Sequence, residues 1–184
     1  MQRPPRDAGG IGPGAAPTDP ADAKNWEEVE DAVEALHDEQ PIEAIVALRA
    51  VIQKNPRNPY AFHYLGVALF ETSELEAARD AYRAAVALAP HYLGARVHLS
   101  HVLRMLRDVR GAIEQGEIAK RQSPTDPEVW HALGMAHAQR GDKAMARTML
   151  EAYLRSNPEF EVGMEVRAIL QQLGPAPEPS DEDD

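Results

Sequence analysis

Apolar residues recur along this chain at three- and four-residue spacing, in paired runs that short polar stretches separate. In residues 59–92, the first run consists of Phe62, Leu65, Gly66 and Leu69. After an interruption at Thr72 and Ser73, the second run consists of Leu75, Ala78, Ala81, Tyr82 and Ala85. Such spacing puts an apolar stripe on one side of each of two helices. The segment therefore predicts a helical hairpin.

This pattern returns every 34 residues. Equivalent prolines stand at Pro56, Pro90, Pro124 and Pro158. Twelve residues before each proline is an alanine, at Ala44, Ala78, Ala112 and Ala146. A fixed period of this length is typical of a stacked repeat array. It divides the chain into four units, which we number first to fourth: 25–58, 59–92, 93–126 and 127–160.

Helix boundaries and close helix contacts are also visible in the sequence. Asn58 and Asp126 each precede a proline, so that a side-chain oxygen can cap a helix whose first residue needs no amide hydrogen bond. Small residues share one column of the repeat, at Gly66, Ser100 and Gly134. Because a bulky side chain there would push paired helices apart, this column predicts close packing within each hairpin.

Two of the units resemble the tetratricopeptide repeat. The fourth unit carries the resemblance in Trp130-x-x-Leu133-Gly134-x-x-His137, Ala146-x-x-x-Leu150 and Pro158. The second carries it in Phe62-x-x-Leu65-Gly66-x-x-Leu69, Ala78-x-x-x-Tyr82 and Pro90. The third departs from it at Arg96 and Gly116, and the first at Asp31. The resemblance implies an all-α, right-handed solenoid of four helix hairpins, a fold that by itself specifies no single activity.

The two ends of the chain differ from the array. Residues 1–24 are rich in Gly and Pro and lack the period, which predicts a disordered N-terminal segment. Residues 161–174 continue the apolar spacing and predict a helix that caps the last unit, as solenoids require. Residues 175–184, PAPEPSDEDD, predict a disordered acidic tail.

Composition excludes several classes of function. The 184 residues include no Cys, which removes disulfides and Cys-ligated metal sites, and the net charge is −11. An acidic chain is a poor match for nucleic acid, whose binding needs a basic face. We find no apolar run of membrane-spanning length, so membrane insertion is not expected. The N-terminus is too polar for a secretory leader, so we expect a cytoplasmic location.

The resemblance also implies where a partner would bind. First helices of tetratricopeptide arrays line a concave surface that commonly holds a peptide or a helix. Transferred to this sequence, that geometry predicts a partner-binding site at Tyr60, His63, Val67, Phe70, Val97, His101, Arg104, His131 and Met135. Apart from Arg104 the rows are apolar or histidine, which favours a ligand with hydrophobic anchors. Some members grip a terminal carboxylate with Lys, Asn and Arg, but the corresponding places here hold Val, His and Met, so that carboxylate clamp is absent.

Three histidines, His63, His101 and His131, fall on neighbouring rows and allow three interpretations. A metal site is disfavoured, because no carboxylate joins them and adjacent first helices stand roughly 10 Å apart. Protonation near neutral pH would add charge to an apolar groove and gate binding. The third interpretation is that neutral imidazoles contact a partner or a neighbouring helix.

No catalytic constellation is recognisable in the sequence. There is no glycine-rich phosphate loop, no nucleophile elbow and no carboxylate pair in a pocket. We therefore expect a non-enzymatic adaptor or scaffold without a metal or other cofactor, which binds a protein or peptide partner. One alternative is a small chaperone, similar to those of secretion systems, that shields hydrophobic segments of a client. Another is a structural module that forms homo-oligomers through its first unit.

Overall fold

The computed structural model describes residues 20–174 of the chain, and within this range the regular elements are ten α-helices. They are α1 (Pro20–Glu27), α2 (Glu30–His37), α3 (Pro41–Lys54), α4 (Pro59–Glu71), α5 (Leu75–Leu88), α6 (Leu93–Met105), α7 (Val109–Gln122), α8 (Pro127–Arg140), α9 (Lys143–Arg155) and α10 (Phe160–Gln172). The expected all-α solenoid is confirmed.

Four hairpins stack in chain order and α10 packs against α9. The hairpins are α2–α3, α4–α5, α6–α7 and α8–α9, so that α2, α4, α6 and α8 are the first helices of their units. In the first unit that helix is divided, because a turn at Glu28 and Val29 separates α1 from α2.

The helix starts follow from the capping residues. Asn58 Oδ1 accepts from the amides of Tyr60 and Ala61, and Asp126 Oδ1 accepts from those of Glu128 and Val129. These bonds satisfy amides that have no partner inside the helix.

Each hairpin turn contains one residue in the left-handed region of backbone space. These residues lie 34 positions apart, at Glu39, Ser73, Arg107 and Gly141, with φ between 57° and 87°. Only the last is a glycine, the residue that adopts this conformation without steric strain. The first three turns therefore keep their shape at some energetic cost.

Small residues allow the hairpins to close, as the sequence predicts. A Cβ added at Gly66 would lie 2.6 Å from the ring of Tyr82, and one added at Gly134 would lie 2.6 Å from Leu150 Cδ2. A Cβ added at Gly116 would lie 2.7 Å from Leu133 Cδ2, which belongs to the next hairpin. The lack of a side chain at Gly116 therefore makes room for a bulky neighbour.

Arg96 replaces an aromatic residue of the repeat and is buried inside the third unit. Its guanidinium donates to Gln115 Oε1 at 2.8 Å and to the Pro90 carbonyl at 2.7 Å. Burial, together with the charge of Arg121, lowers the pKa of Arg96. The two hydrogen bonds compensate part of the cost of burying this cation.

One prediction about the ends was wrong. Helix α1 begins at Pro20, so residues 20–24 are helical and not part of a disordered segment. The ring of Trp26 explains why, because it packs edge-on against Tyr60 and Tyr64, with centroids 5.8 Å away in both cases, and so fixes α1 on α4. The rest of the N-terminal segment and the acidic tail at 175–184 lie outside the described residues.

Candidate functional site

A cavity of about 790 Å³ opens on the inner side of α4, α6 and α8, and residues of α5, α9 and α10 and of the segment between α9 and α10 complete it. Its volume falls in the range usual for ligand pockets. The lining residues are Val67, Phe70, Glu71, Tyr82, Val97, His98, His101, Pro127, Glu128, His131, Tyr153, Ser156, Pro158, Glu159 and Val162.

Four rings form a continuous ladder in this lining. Phe70 meets His101 edge-on with centroids 6.3 Å apart, and His101 lies 5.9 Å from His131. His131 then stacks on Tyr153 at 4.7 Å. Phe70 and His101 are 31 residues apart, and His101 and His131 are 30 apart, each less than the 34-residue period. Each ring therefore comes from a position about one helical turn nearer the start of its helix than the ring before it. The ladder connects α4, α6 and α8 with α9.

The histidines of the ladder are neutral at neutral pH. Burial, with the nearby charges of Arg104, His131 and His98, lowers the pKa of His101 to about 3. Burial also lowers the pKa of His131, and Arg104 adds to this effect while Glu165 opposes it. Unprotonated rings present flat, weakly polar surfaces. Within residues 20–174, no three His, Asp or Glu side chains converge in a way that could hold a metal ion.

Within the described residues, the lining includes three carboxylates, Glu71, Glu128 and Glu159, and no Lys or Arg. Burial raises the pKa of Glu128, and Asp126 and Glu159, the neighbours that act on it, raise it further. Burial and Glu39 raise the pKa of Glu71. At neutral pH the cavity is therefore an apolar surface with acidic groups at its α4 end and at its α8–α10 end.

The structure brings together five of the nine predicted site residues, since the cavity lining includes Val67, Phe70, Val97, His101 and His131. Arg104 is half-buried and lies outside this lining. Its guanidinium is 3.3 Å from His101 Nε2, and the carboxylate of Glu165 is close enough to raise the pKa of Arg104 against the effect of burial.

Three of the predicted site residues, Tyr60, His63 and Met135, lie outside the lining of the cavity and pack against neighbouring helices. Their exposed fractions are 3%, 1% and 7%. Tyr92 packs 5.5 Å from Tyr60 and 4.7 Å from His63, measured between ring centroids. Met135 packs in a cluster that includes Val166 of α10. Neighbouring helices thus cover these three positions, while other positions on α4 and α8 remain in the lining of the cavity.

Sequence reasoning missed the residues contributed by the last hairpin and the cap. Glu128 precedes His131 by three residues, so helical periodicity could have placed it on the same face. Tyr153, Glu159 and Val162 belong to a second helix and to the segment after it, so a prediction confined to the first helices could not include them.

Comparison with known proteins agrees with this architecture. Two tetratricopeptide repeat family models match the chain, at residues 32–92 and at residues 127–160. No curated protein sequence matches it. No helix within residues 20–174 is both long and apolar enough to cross a membrane.

Solved structures share the fold at low sequence identity. TTC0263, a thermophilic TPR protein of Thermus thermophilus, is 20% identical over 81% of this chain and 80% of its own, with a TM-score of 0.65. YrrB, described as a TPR protein with an unusual peptide-binding site, is 18% identical over 74% of this chain and 71% of its own, with a TM-score of 0.65.

A third similar structure contains a bound peptide. The first TPR of Spaghetti (RPAP3), bound to the HSP90 peptide SRMEEVD, is 20% identical over 62% of this chain and 90% of its own. Its TM-score is 0.59.

Proposed function

Because the chain belongs to the tetratricopeptide repeat family, a family of protein-interaction modules, we propose that it is a non-enzymatic adaptor that binds a peptide or an amphipathic helix of a partner protein in the cavity of α4, α6 and α8. The observation that carries this proposal is the ladder of Phe70, His101, His131 and Tyr153 in an open, largely apolar cavity. Such a surface loses contact with water when apolar side chains cover it, and this is the main favourable contribution to peptide binding.

Substitutions in the cavity test the proposal. Phe70→Glu and Val162→Glu each place a carboxylate on its apolar lining, whereas Phe160→Glu alters a side chain that is 77% exposed and outside it. We expect the wild-type chain and Phe160→Glu to capture the same partner from the native host, and both cavity variants to lose it. Melting curves show which variants remain folded. If folded cavity variants recover the same partner at the same level, binding occurs elsewhere.

A second observation favours self-association through the first unit. Ile42 and Val46 lie one helical turn apart on α3 and are 63% and 66% exposed. Exposed apolar pairs of this kind occur in contacts between subunits. A homo-oligomer formed there would dissociate in the Ile42→Lys, Val46→Lys variant. Light scattering over a concentration series measures this, and a monomeric wild-type chain would contradict it.

A further inference from the structure

The cavity has an asymmetric chemistry that limits which polypeptide can occupy it. Its floor is the ring ladder, and acidic groups stand at both ends of that floor. Glu71 is the last residue of α4, and Glu128 and Glu159 lie at the start of α8 and just before α10. Glu71 lies at the C-terminal end of α4 and Glu128 near the N-terminal end of α8, and α6 stands between these two helices, so the two acidic ends are separated both across the array and along the helix axes.

No cation of the lining balances these carboxylates. The lining residues within 20–174 include no Lys and no Arg. The histidines among them that form the ladder, His101 and His131, are held neutral because burial lowers the pKa of each. Arg104 is the cation closest to the ladder, and it interacts with Glu165 outside the lining. A bound segment therefore meets negative potential at each end of an apolar floor.

We propose that the cavity selects a partner segment in which a basic residue stands on each side of an apolar stretch. This inference rests on the proposed function and specifies the chemistry of the partner. Apolar side chains cover the rings, and the Lys or Arg groups meet Glu71 at one end and Glu128 with Glu159 at the other. An acidic segment is repelled, because like charges brought together in a partly buried site cost free energy.

Selection from a phage-displayed library of random peptides, each about 16 residues long, tests the pattern with the full-length chain as bait. We expect enriched peptides with apolar residues flanked by Lys or Arg. Replacing Glu71, Glu128 and Glu159 together by Gln keeps the shape of the cavity and removes its charge. Affinity for the enriched peptides, measured by fluorescence anisotropy, is expected to fall roughly three- to tenfold, because exposed ion pairs contribute modestly. Glu76→Gln, an exposed change outside the lining, serves as the control and leaves affinity unchanged.

Different outcomes separate this inference from the proposed function. Enriched peptides that the Phe70→Glu and Val162→Glu variants no longer bind would support the proposed function. If those peptides do not favour basic residues, or if the triple Gln variant binds them equally well, only the charge pattern is overturned. If no peptide is enriched, or folded cavity variants bind as well as the wild type, both proposals fail.

The chain itself contains one competing basic segment, because Arg3 and Arg6 lie in its N-terminal region. If the Arg3→Gln, Arg6→Gln variant binds the enriched peptides at least about tenfold more tightly than the wild type, the cavity serves this segment. The proposal of a separate partner is then overturned. Equal affinity for the two chains supports a separate partner.

Discussion

The imidazole rings of His101 on α6 and His131 on α8 lie 5.9 Å apart, between centroids, at the centre of the cavity floor. Burial lowers the pKa of each ring, and the charge that His131 would carry further lowers the pKa of His101. His63, which is 1% exposed in the core beside this floor, has its pKa held well below the ordinary value by burial and by His98. The inner side of the array thus contains imidazoles that resist protonation.

Stability is therefore expected to fall as the pH is lowered through the range in which histidine normally titrates. Below about pH 6.5 the unfolded chain takes up protons on these histidines and the folded chain does not, so acid favours unfolding. At about pH 5.5 each imidazole that stays neutral in the folded state costs about 1.4 kcal/mol. Urea unfolding at about pH 7.5 and about pH 5.5 measures the difference.

The His101→Leu variant provides the comparison for this pH effect. We expect its free energy of unfolding to change less between the two pH values, because one buried titrating group has been removed. His91 is exposed, so His91→Gln should retain the full pH dependence. A wild-type stability that is the same at both pH values would contradict the assignment of neutral, buried rings.

Gly134→Ala is expected to destabilise the fourth hairpin. The added Cβ would lie 2.6 Å from Leu150 Cδ2 and 3.2 Å from the Leu150 backbone nitrogen, so α8 and α9 must separate. Such overpacking costs about 1–3 kcal/mol, and the better helix propensity of Ala recovers up to about 1 kcal/mol. We expect a net loss of about 1–2 kcal/mol in chemical denaturation. Gly163→Ala is the matched control, because the added Cβ would contact the flexible end of Arg167 at 3.3 Å and a Pro158 ring carbon at 3.6 Å. We expect this variant to be as stable as the wild type or more stable.

Arg107→Gly is expected to stabilise the third hairpin. Arg107 has a φ of 67°, which strains a residue with a Cβ, and the equivalent position of the fourth unit is Gly141. Relief of this strain exceeds the entropy that Gly adds to the unfolded chain, which leaves a gain of roughly 0.5–1 kcal/mol. Thermal unfolding would show a higher melting temperature. Arg83→Gly, a change of the same type at an exposed position in the middle of α5, should lower it, and equal shifts for both variants would refute the explanation.

Asn58→Ala is expected to weaken the junction between the first and second units. Besides capping α4, the Asn58 side chain donates to the Asn25 carbonyl at 2.8 Å and to Glu28 Oε2 at 3.2 Å, and it is fully buried. Its loss removes the cap and leaves buried groups without partners, at about 2–4 kcal/mol.

Two further variants separate these roles of Asn58. Asp126→Ala removes a cap that is only partly buried, and we expect a cost of about 1 kcal/mol. Asn58→Asp keeps the acceptor for the α4 amides but loses the donor and faces Glu28, so it should cost nearly as much as Asn58→Ala. If Asn58→Asp has wild-type stability, the amide donor does not hold the junction.

The sequence was sufficient to predict the architecture because repetition is local information. Recurring prolines indicate where helices end, and recurring alanines and small residues such as Gly66 and Gly134 indicate where two helices are in contact. The contacts of Gly66 and Gly134 lie within their own hairpins. The resemblance to tetratricopeptide repeats adds the expectation that Phe70, His101 and His131 face the inner side, and all three are in the lining of the cavity.

The exposure of those inner positions was decided by tertiary structure. Val67, His101 and Met135 occupy one column of the repeat, yet the first two line the cavity and Met135 lies in the core beside Val166. The period and the helices follow from the sequence pattern alone, and the resemblance to tetratricopeptide repeats adds the expectation that a partner binds on the inner side. Which inner side chains remain open, and that Glu128 and Glu159 lie beside them, depends on how the helices stack. Equivalent positions of successive units meet different neighbouring side chains, and the sequence pattern does not show those contacts.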